Sequence, residues 1–371
     1  MKRLKVVTVV GTRPELIRLS CLIPKLDRYT NHTLIHTGQN SDPNLKDVFF
    51  RDLEIRQPDV YLDAASETPG ATMGKIMSKI EAILIDLNPD AVMILGDTNS
   101  AVAAIIAERL YIPVYHMEAG NRSFDQNVPE ELNRRMVDHV STFNLPYNSY
   151  SQQNLLDEGI HPRFIFKTGS PMAEVFSRFG ENIDKSAILK DLQLDAGQYI
   201  VASLHRQENV DNPTRLNDLI ASLEAASIQL AVPVVVSTHP RTMQRLDTIE
   251  AAAAGNLRFL KPFGFFDYCK LQKHARIVIS DSGTVSEESS LLDFPAITVR
   301  DSMERPEALA AGVIVLAGVT PGSVLPAVEF ALDSRSDRDL PEGYASKNFS
   351  DLVLTFLLST AHLARTWKGL N

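Results

Sequence analysis

Cysteine is scarce in this chain of 371 residues, which contains only Cys21 and Cys269. Two thiols so far apart in sequence form neither a disulfide framework nor a zinc site, so we expect both to be buried and reduced. Long apolar runs are missing as well. Residues 308–319 contain two glycines and fall short of a membrane span, and the short apolar run near the start lacks a signal-peptide cleavage site. We therefore expect a cytoplasmic protein.

The chain also lacks a surplus of basic residues. Its net charge of −9 argues against a general nucleic-acid binder, because such proteins need a basic face. The sequence has no Walker loop and no GxGxxG fingerprint, so ATP and NAD are poorly supported and no cofactor is expected. Its histidines are not spaced as metal ligands, and no nucleophile elbow occurs. We predict no metal.

What the sequence does show is an alternation of short β-rich runs with amphipathic helical stretches. A chain of this length is too long for one ordinary core, so two domains are the default. The strands read as continuous Val/Ile/Leu runs, which is typical of parallel, doubly wound sheets. Predicted strands cover residues 4–10, 32–37, 91–95, 114–117, 200–204, 233–237, 277–280 and 296–299, and predicted helices cover residues 72–87, 100–110, 149–158, 214–227, 242–254 and 349–367.

The alternation weakens between residues 169 and 198 and restarts at Ile200. We place the domain boundary near Thr168–Gly169, which separates a first domain of residues 1–168 from a second of residues 169–350. The helix after that, within residues 351–371, could belong to either domain. The sequence therefore predicts an α/β protein with two doubly wound parallel sheets facing one cleft.

The two halves resemble each other at one type of turn. The strand 91–95 ends in Gly96-Asp97-Thr98, and the strand 277–280 ends in an acid followed by small residues at 281–284. In open α/β sheets, ligands bind outside the carboxyl ends of the strands. Both turns are therefore candidate ligand sites.

Two turns have the composition of an anion site. Arg13 would lie at a helix N-terminus, next to Gly11 and Pro14, although an ordinary turn with a surface arginine has the same pattern. The hydroxyls and amides of residues 282–284 could hold a diphosphate, and Glu288 could bind a ribose diol. A Ser/Thr helix cap with acids in the first turn explains that second pattern equally well.

Carboxylates form the most informative group. Asp97 and Glu118 each end an apolar strand, and Glu130 and Glu131 open a helix with Arg134 one turn further on. Carboxylates gathered in a cleft can have their pKa values pushed apart, which yields one acid and one base. Helix N-terminal acids with a Glu130–Arg134 pair are the alternative explanation.

Histidines follow two strands of the second half. His205 follows the strand 200–204, and His239 follows the strand 233–237. A histidine at a strand end can donate to a phosphate or carry a proton, although a single one there is more often structural. The residues alone thus predict a two-domain α/β enzyme that binds a phosphorylated ligand, without naming the reaction.

Read together, these motifs resemble the non-hydrolysing UDP-N-acetylglucosamine 2-epimerase family. The resemblance covers nearly the whole chain and depends on the order and spacing of the motifs, since each is weak alone. They lie at residues 11–15, 37–39, 96–98, 118–120, 129–134, 205–206, 281–283, 287–288 and 304–307.

The resemblance implies two Rossmann-like domains arranged as in GT-B glycosyltransferases, a homodimer, and a last helix that packs back on the first domain. It also implies elimination of UDP from a UDP-sugar to a 2-acetamidoglycal, followed by return of UDP with a proton delivered to the opposite face of C2. The implied catalytic residues are Asp97, Glu118, Glu130 and His205. The implied UDP- and substrate-binding residues are Arg13, Arg18, Arg134, His239, Tyr268, Ser282, Gly283, Thr284, Glu288 and Arg305.

Several positions depart from the best-known members. Arg18 stands where a lysine is usual, Thr284 replaces a second glycine, residues 121–128 form a shorter segment, and residues 263–268 differ. These features are more similar to the capsule and O-antigen branch, which makes UDP-N-acetyl-L-fucosamine from a 2,6-dideoxy-L-talose precursor. A GT-B glycosyltransferase and a catalytically silent nucleotide-sugar-binding protein are the other hypotheses. The acids Asp97, Glu118 and Glu130 argue against the silent protein.

Overall fold

The computed structural model describes residues 3–39, 50–238, 242–243, 245, 256–334 and 339–369. Strands within these ranges form two parallel sheets of six strands each. Sheet 1 has the order β3-β2-β1-β4-β5-β6, and sheet 2 has the order β12-β11-β10-β7-β8-β9. The strands are β1 Lys5–Val10, β2 Asn31–His36, β3 Val60–Tyr61, β4 Ala91–Leu95, β5 Val114–Met117, β6 Phe143–Leu145, β7 Ile200–Leu204, β8 Val234–Thr238, β9 Leu257–Leu260, β10 Ile277–Ser280, β11 Ala296–Thr298 and β12 Val315–Leu316.

Each sheet has the doubly wound order of a Rossmann fold. In sheet 1 the chain builds outward from β1 to β3, returns to the middle, and builds the other way from β4 to β6. Sheet 2 repeats this order from β7 to β12, with every strand pair parallel. The predicted α/β class with two doubly wound parallel sheets is confirmed.

Two compact units contain the sheets. Unit 1 comprises Met1–Arg178 and Glu342–Asn371, and unit 2 comprises Phe179–Pro341. The division after Arg178 falls inside a helix, whereas the boundary expected from the sequence was Thr168–Gly169.

The helices are α1 Arg13–Leu19, α2 Leu22–Tyr29, α3 Pro69–Leu87, α4 Ala103–Arg109, α5 Pro129–Val140, α6 Ser149–Asp157, α7 Met172–Lys185, α8 Ile188–Asp191, α9 Gln207–Val210, α10 Pro213–Leu230, α11 Phe265–His274, α12 Val285–Leu292, α13 Pro306–Ala310, α14 Pro321–Asp333, α15 Phe349–Thr360 and α16 Ala364–Trp367, with short 3₁₀ turns at Asn99–Val102 and Pro162–Phe164.

Helix α3 shows how local sequence and core burial agree in unit 1. Thr68 caps its N-terminus by accepting a hydrogen bond from the Ala71 amide, and Pro69 takes the first helical position. Asn88 ends the helix in the left-handed conformation, with φ +43°. Its buried face, which includes Ile76 and Ile80 at helical spacing, packs on β1 and β4.

The chain returns to unit 1 at its end. Phe356 in α15 stacks on Phe166 with ring centroids 4.3 Å apart, and the Tyr115 hydroxyl lies 2.8 Å from Thr360 Oγ1. The single helix predicted over residues 349–367 is wrong in one respect: two helices are present, and residues 361–363 separate them. Nothing in the sequence of those three residues marks the break.

Unit 2 buries its core in the same way. The strands β7 and β8 pack on α10 and α14 through fully buried side chains such as Ile200, Val234, Leu223 and Val324. The helix predicted over residues 242–254 lies largely outside the described residues. Within the described ranges, no helix has the length and apolar character needed to cross a membrane.

Candidate active site

Several of the predicted site residues follow the strands at the switch points of the two sheets, namely Arg13 after β1, Asp97 after β4, His205 after β7 and residues 282–284 after β10. Sheet 1 reverses its strand order between β1 and β4, and sheet 2 reverses between β7 and β10. Ligands of doubly wound sheets bind outside the strand ends at such a reversal. We call the residues that follow β1, β4 and β5 in unit 1 the acid group, and the residues that follow β7, β10 and β11 in unit 2 the turn group. The acid group comprises Arg13, Glu15, Arg18, Asp97, Glu118, Glu130 and Arg134, and the turn group comprises His205, Arg206, Asp281, Ser282, Gly283, Thr284, Glu288, Glu304 and Arg305.

Glu15 connects two turns of the acid group. Its Oε2 accepts hydrogen bonds from the amides of Gly11 (2.7 Å) and Thr12 (2.6 Å), and its Oε1 accepts one from Thr98 Oγ1 (2.9 Å). Burial raises the pKa of Glu15 to about 7, although these hydrogen bonds act to lower it. The contacts by which Glu15 joins the two turns were not predicted from the sequence. The Thr12-to-Glu15 capping-box spacing is the signal that could have revealed them.

The raised pKa of Glu15 predicts a pH-dependent stability. The folded chain keeps the Glu15 proton up to about pH 7, whereas the unfolded chain loses it near its ordinary pKa of 4.5. Stability from this group is therefore full below the unfolded pKa and is lost as pH rises through the folded pKa. We expect wild type to lose roughly 3 kcal/mol of unfolding free energy relative to Glu15→Gln across that window.

Urea denaturation at closely spaced pH values measures this difference. Glu81→Gln makes the same chemical change on the exposed face of α3 and should follow wild type at every pH. Parallel stability curves for wild type and Glu15→Gln would show that the Glu15 carboxyl titrates normally.

Arg134 holds Asp97 in a short ion pair. The Nε and Nη2 atoms of Arg134 each lie 2.7 Å from Asp97 Oδ2, and its Nη1 lies 3.2 Å from Glu131 Oε2. The Asn133 side chain donates to the Asp97 carbonyl at 2.9 Å. Glu130 is partly exposed in the first turn of α5. These contacts bring Asp97 and the start of α5 together.

Glu118 lies beside a buried guanidinium. Arg18 is 3% exposed, and its Nε lies 3.7 Å from Glu118 Oε2. The Arg18 guanidinium also lies over the Tyr147 ring, 5.7 Å from the centroid. Glu118 has a φ of +65°, an unusual conformation for a residue other than glycine, of a kind that concentrates at functional sites. A Cβ on Gly96 would lie 3.6 Å from Glu118 Oε2, so the turn that carries Asp97 is adjacent to Glu118.

His205 is oriented by a buried carboxylate in the turn group. Its Nδ1 lies 3.0 Å from Asp281 Oδ1, and the amides of His205 and Arg206 donate to the same carboxylate. Burial raises the pKa of Asp281, but His205 and these amides outweigh it and lower the pKa overall. The His205 ring is 42% exposed. Because Nδ1–H faces Asp281, Nε2 is the nitrogen that can meet a ligand.

The turn after β10 presents hydroxyls and a carboxylate. Thr284 Oγ1 lies 3.0 Å from Ser282 Oγ and donates to Glu288 Oε1 at 2.7 Å. The Gln272 side chain donates to Glu288 Oε2 at 2.7 Å, and Glu288 is nearly buried. Burial and the nearby Glu288 raise the pKa of the Tyr268 phenol. Tyr268 and Glu288 therefore lie close together.

Gly283 lies against the side-chain ends of Glu304 and Arg206. A Cβ at this position would lie 2.3 Å from Glu304 Oε1 and 3.1 Å from Arg206 Nη2. Glu304 pairs with Arg206 at 3.1 Å and with Arg300 at 2.9 Å. Arg305 is 3% exposed and donates from Nε to the Gly283 carbonyl at 3.0 Å. The arginines and Glu304 thus fix the shape of the turn.

Three further residues bear on the site: the predicted Arg13 and His239, and Asp281, which was not predicted. Arg13 opens α1 and is partly exposed, at the position expected of an anion ligand. His239 lies outside the described residues. Asp281 occurs in a quoted motif but was not predicted as a site residue, because its partner His205 lies far away in sequence.

Comparisons with known proteins match nearly the whole chain to one family. The family model of UDP-N-acetylglucosamine 2-epimerase matches residues 25–357. A UDP-N-acetylglucosamine 2-epimerase structure from Rickettsia bellii matches with a TM-score of 0.91 and 40% identity over 98% of both chains. The Methanocaldococcus jannaschii UDP-GlcNAc 2-epimerase, solved in complex with UDP-GlcNAc and UDP, has a TM-score of 0.90 and 33% identity, covering 95% of this chain and 99% of that one. A UDP-2,3-diacetamido-2,3-dideoxy-D-glucuronate 2-epimerase from Pseudomonas aeruginosa is 31% identical over 359 residues, covering 95% of this chain and 99% of the relative.

The fold and these matches define a sugar-nucleotide epimerase, which is an isomerase. The chain belongs to the UDP-N-acetylglucosamine 2-epimerase family. The predicted enzyme class is confirmed, and so is the resemblance at the level of the family. The closer likeness to the UDP-N-acetyl-L-fucosamine branch stays a prediction.

Proposed function

We propose that this protein inverts C2 of a UDP-N-acetylhexosamine by eliminating UDP and adding it back. The observation that carries the proposal is that carboxylates lie at the switch point of one sheet and a phosphate-type turn lies at that of the other. The family match supports the reaction, and the archaeal relative solved with UDP-GlcNAc and UDP supports the substrate class.

The chemistry requires carboxylates. The C2 hydrogen has no adjacent carbonyl to acidify it, so cleavage of the C1–O bond must run ahead and leave positive charge at C1. A base then takes the C2 proton, the C2–H electron pair becomes the C1–C2 double bond, and the C1–O pair leaves with UDP. In the return step, the double bond takes a proton at the opposite face of C2 while a UDP oxygen rejoins C1.

The structure supports different roles for the acids. Asp97 accepts two short contacts from Arg134, which hold its carboxylate in place and suit it to stabilise charge at C1. Glu118 contacts its buried guanidinium at the longer distance of 3.7 Å, and we assign it one of the C2 proton transfers. Glu130, partly exposed in the first turn of α5, is the candidate for the other.

UDP is assigned mainly to the turn group. Ser282, Gly283 and Thr284 offer amides and hydroxyls to the diphosphate at the start of α12, and His205 Nε2 offers a further donor. Glu288 suits the ribose diol, and the neighbouring Tyr268 suits the uracil. Arg13, Arg18, Arg134, His239 and Arg305 are proposed as further substrate ligands, of which Arg305 acts through the Gly283 carbonyl.

The sugar is the least constrained part of the proposal. The relatives differ in the sugar that they are named for, while the position at which they epimerise is C2 throughout. We propose UDP-N-acetylglucosamine as the substrate, with UDP-2-acetamido-2,6-dideoxy-L-talose as the alternative. The segments at residues 121–128 and 263–268 favour that alternative.

Incubation with each sugar nucleotide, followed by proton NMR of the anomeric signals, tests the proposal. The true substrate should reach an equilibrium between two C2 epimers, both still linked to UDP. A glycosyltransferase would release UDP only with an acceptor, a silent binding protein would change neither sample, and a hydrolysing epimerase would release free N-acetylmannosamine. Each of these three results contradicts the proposal.

Three further predictions stay predictions. They are the homodimer that the family implies, the cytoplasmic location expected from the sequence, and a role in capsule or O-antigen synthesis. Analytical ultracentrifugation of the purified protein would test the first.

A further inference from the structure

His116 lies in β5, two residues before Glu118, and both nitrogens of its ring have a partner. Nδ1 lies 2.8 Å from Asp138 Oδ1, and Nε2 lies 2.8 Å from the Gly96 carbonyl oxygen. The ring is 1% exposed, so bulk water does not compete for these contacts. Neither His116 nor Asp138 belongs to the proposed catalytic or UDP-binding residues.

The partners fix the protonation of the ring. A carbonyl oxygen only accepts, so Nε2 must carry a hydrogen. The Asp138 carboxyl receives hydrogen bonds from Arg122 Nη1 at 2.7 Å and from the Gly120 amide at 3.1 Å, so it acts as an acceptor in this network. Nδ1 must therefore carry a hydrogen as well, and the ring is an imidazolium.

The charges around the ring are balanced. The groups that face it are Asp138 from α5 and, at the end of β4, the Gly96 carbonyl with Asp97 beyond it. Burial lowers the pKa of His116, but these groups outweigh it and raise the pKa overall. Arg122 is fully buried and also pairs with Glu158, at 2.8 and 2.6 Å. Two cations and two anions thus form one satisfied network, which is the condition under which buried charges persist.

The network joins the two turns that carry the acids. Gly96 immediately precedes Asp97, and its carbonyl is held directly by His116. Gly120 follows Glu118 by two residues, and its amide is held by Asp138, the other partner of His116. Both glycines have positive φ, +73° and +80°, so the turns depend on such contacts to keep their shape.

We propose that His116 is a charged positioning residue for the epimerisation. Its imidazolium holds the Gly96 and Gly120 turns together and thereby fixes the separation of Asp97 from Glu118. This inference rests on the proposed function, because it assumes that those two acids act at the sugar.

Nitrogen-15 NMR of the histidine-labelled protein tests the charge without relying on activity. One histidine should show both ring nitrogens protonated at neutral pH and above, beyond the ordinary pKa of about 6.5. Assignment comes from the loss of that signal in His116→Gln. A neutral ring at neutral pH would overturn the proposal, whether or not the variant folds.

Kinetics of His116→Gln then test the positioning role. We expect kcat to fall by about 100-fold or more with KM changed by less than about threefold, because displaced acids slow the chemistry while UDP binding persists. His362→Gln, at an exposed position between α15 and α16, should keep wild-type kcat. A kcat equal to wild type in His116→Gln would overturn the role. A fall in kcat/KM that comes from a higher KM alone would overturn it as well. Absence of C2 exchange in wild type would instead contradict the proposed function, and the NMR result on the ring would stand by itself.

Discussion

Replacement of Glu118 by glutamine should lower kcat for C2 epimerisation by about 100- to 10,000-fold, the usual contribution of a general acid or base. Glutamine has nearly the same shape but cannot take or return a proton. It can still accept the contact from Asn121, which lies 3.4 Å from Glu118 Oε1. The affinity for UDP should stay near the wild-type value, because UDP is assigned to the turn group of unit 2.

Steady-state rates from the NMR assay and UDP titration by calorimetry separate these two quantities. The matched control is Glu81→Gln, the same substitution on exposed α3, which should leave both unchanged. A Glu118→Gln enzyme with more than about a tenth of the wild-type kcat would remove Glu118 from the proton-transfer role.

Gly120→Ala should destabilise the fold more than any other glycine substitution discussed above. A Cβ at Gly120 would lie 2.1 Å from the Ser151 carbonyl oxygen and 2.9 Å from Leu155 Cγ. The Ser151 carbonyl belongs to the backbone of α6, so it can move only if the helix moves. The φ of +80° adds strain for any L side chain. We expect the free energy of unfolding to fall by about 2–5 kcal/mol.

Gly159→Ala is the control that separates the cost of the positive φ from the cost of the steric contact. Gly159 has a φ of +87°, but a Cβ there would meet nothing within 4 Å. Its alanine variant should lose only the backbone penalty, about 1–2 kcal/mol. Thermal melts followed by circular dichroism compare the two. Equal losses would show that the contact with Ser151 relaxes without cost.

The central strands could be predicted from the sequence, but the outer ones could not. The bounds of β4, β5, β7 and β10 are those predicted, because strands buried on both faces read as continuous apolar runs. The predictions lack β3, β6, β9 and β12, which are the outermost strands of the two sheets. Such strands pair on one side and are short or partly exposed, as the half-buried β9 shows, so no continuous run marks them.

In the candidate site, too, some residues could be located from the sequence and their contact partners could not. Turns after central strands are visible in sequence, so Asp97, Glu118 and His205 could be located without a structure. Their partners could not, because each pairing depends on which strands become neighbours. The Arg18–Glu118 contact and the His205–Asp281 contact join residues that are far apart along the chain.

If UDP is eliminated and added back, the C2 proton exchanges with solvent during the reaction, and both epimers carry UDP at equilibrium. Proton NMR of the reaction in deuterium oxide tests this exchange most directly, with UDP-N-acetylglucosamine and the 6-deoxy sugar nucleotide in separate tubes. We predict that one of them loses its C2 proton signal, with deuterium at C2 in both epimers. An epimer that forms without deuterium at C2, or no exchange with either sugar, would contradict the account.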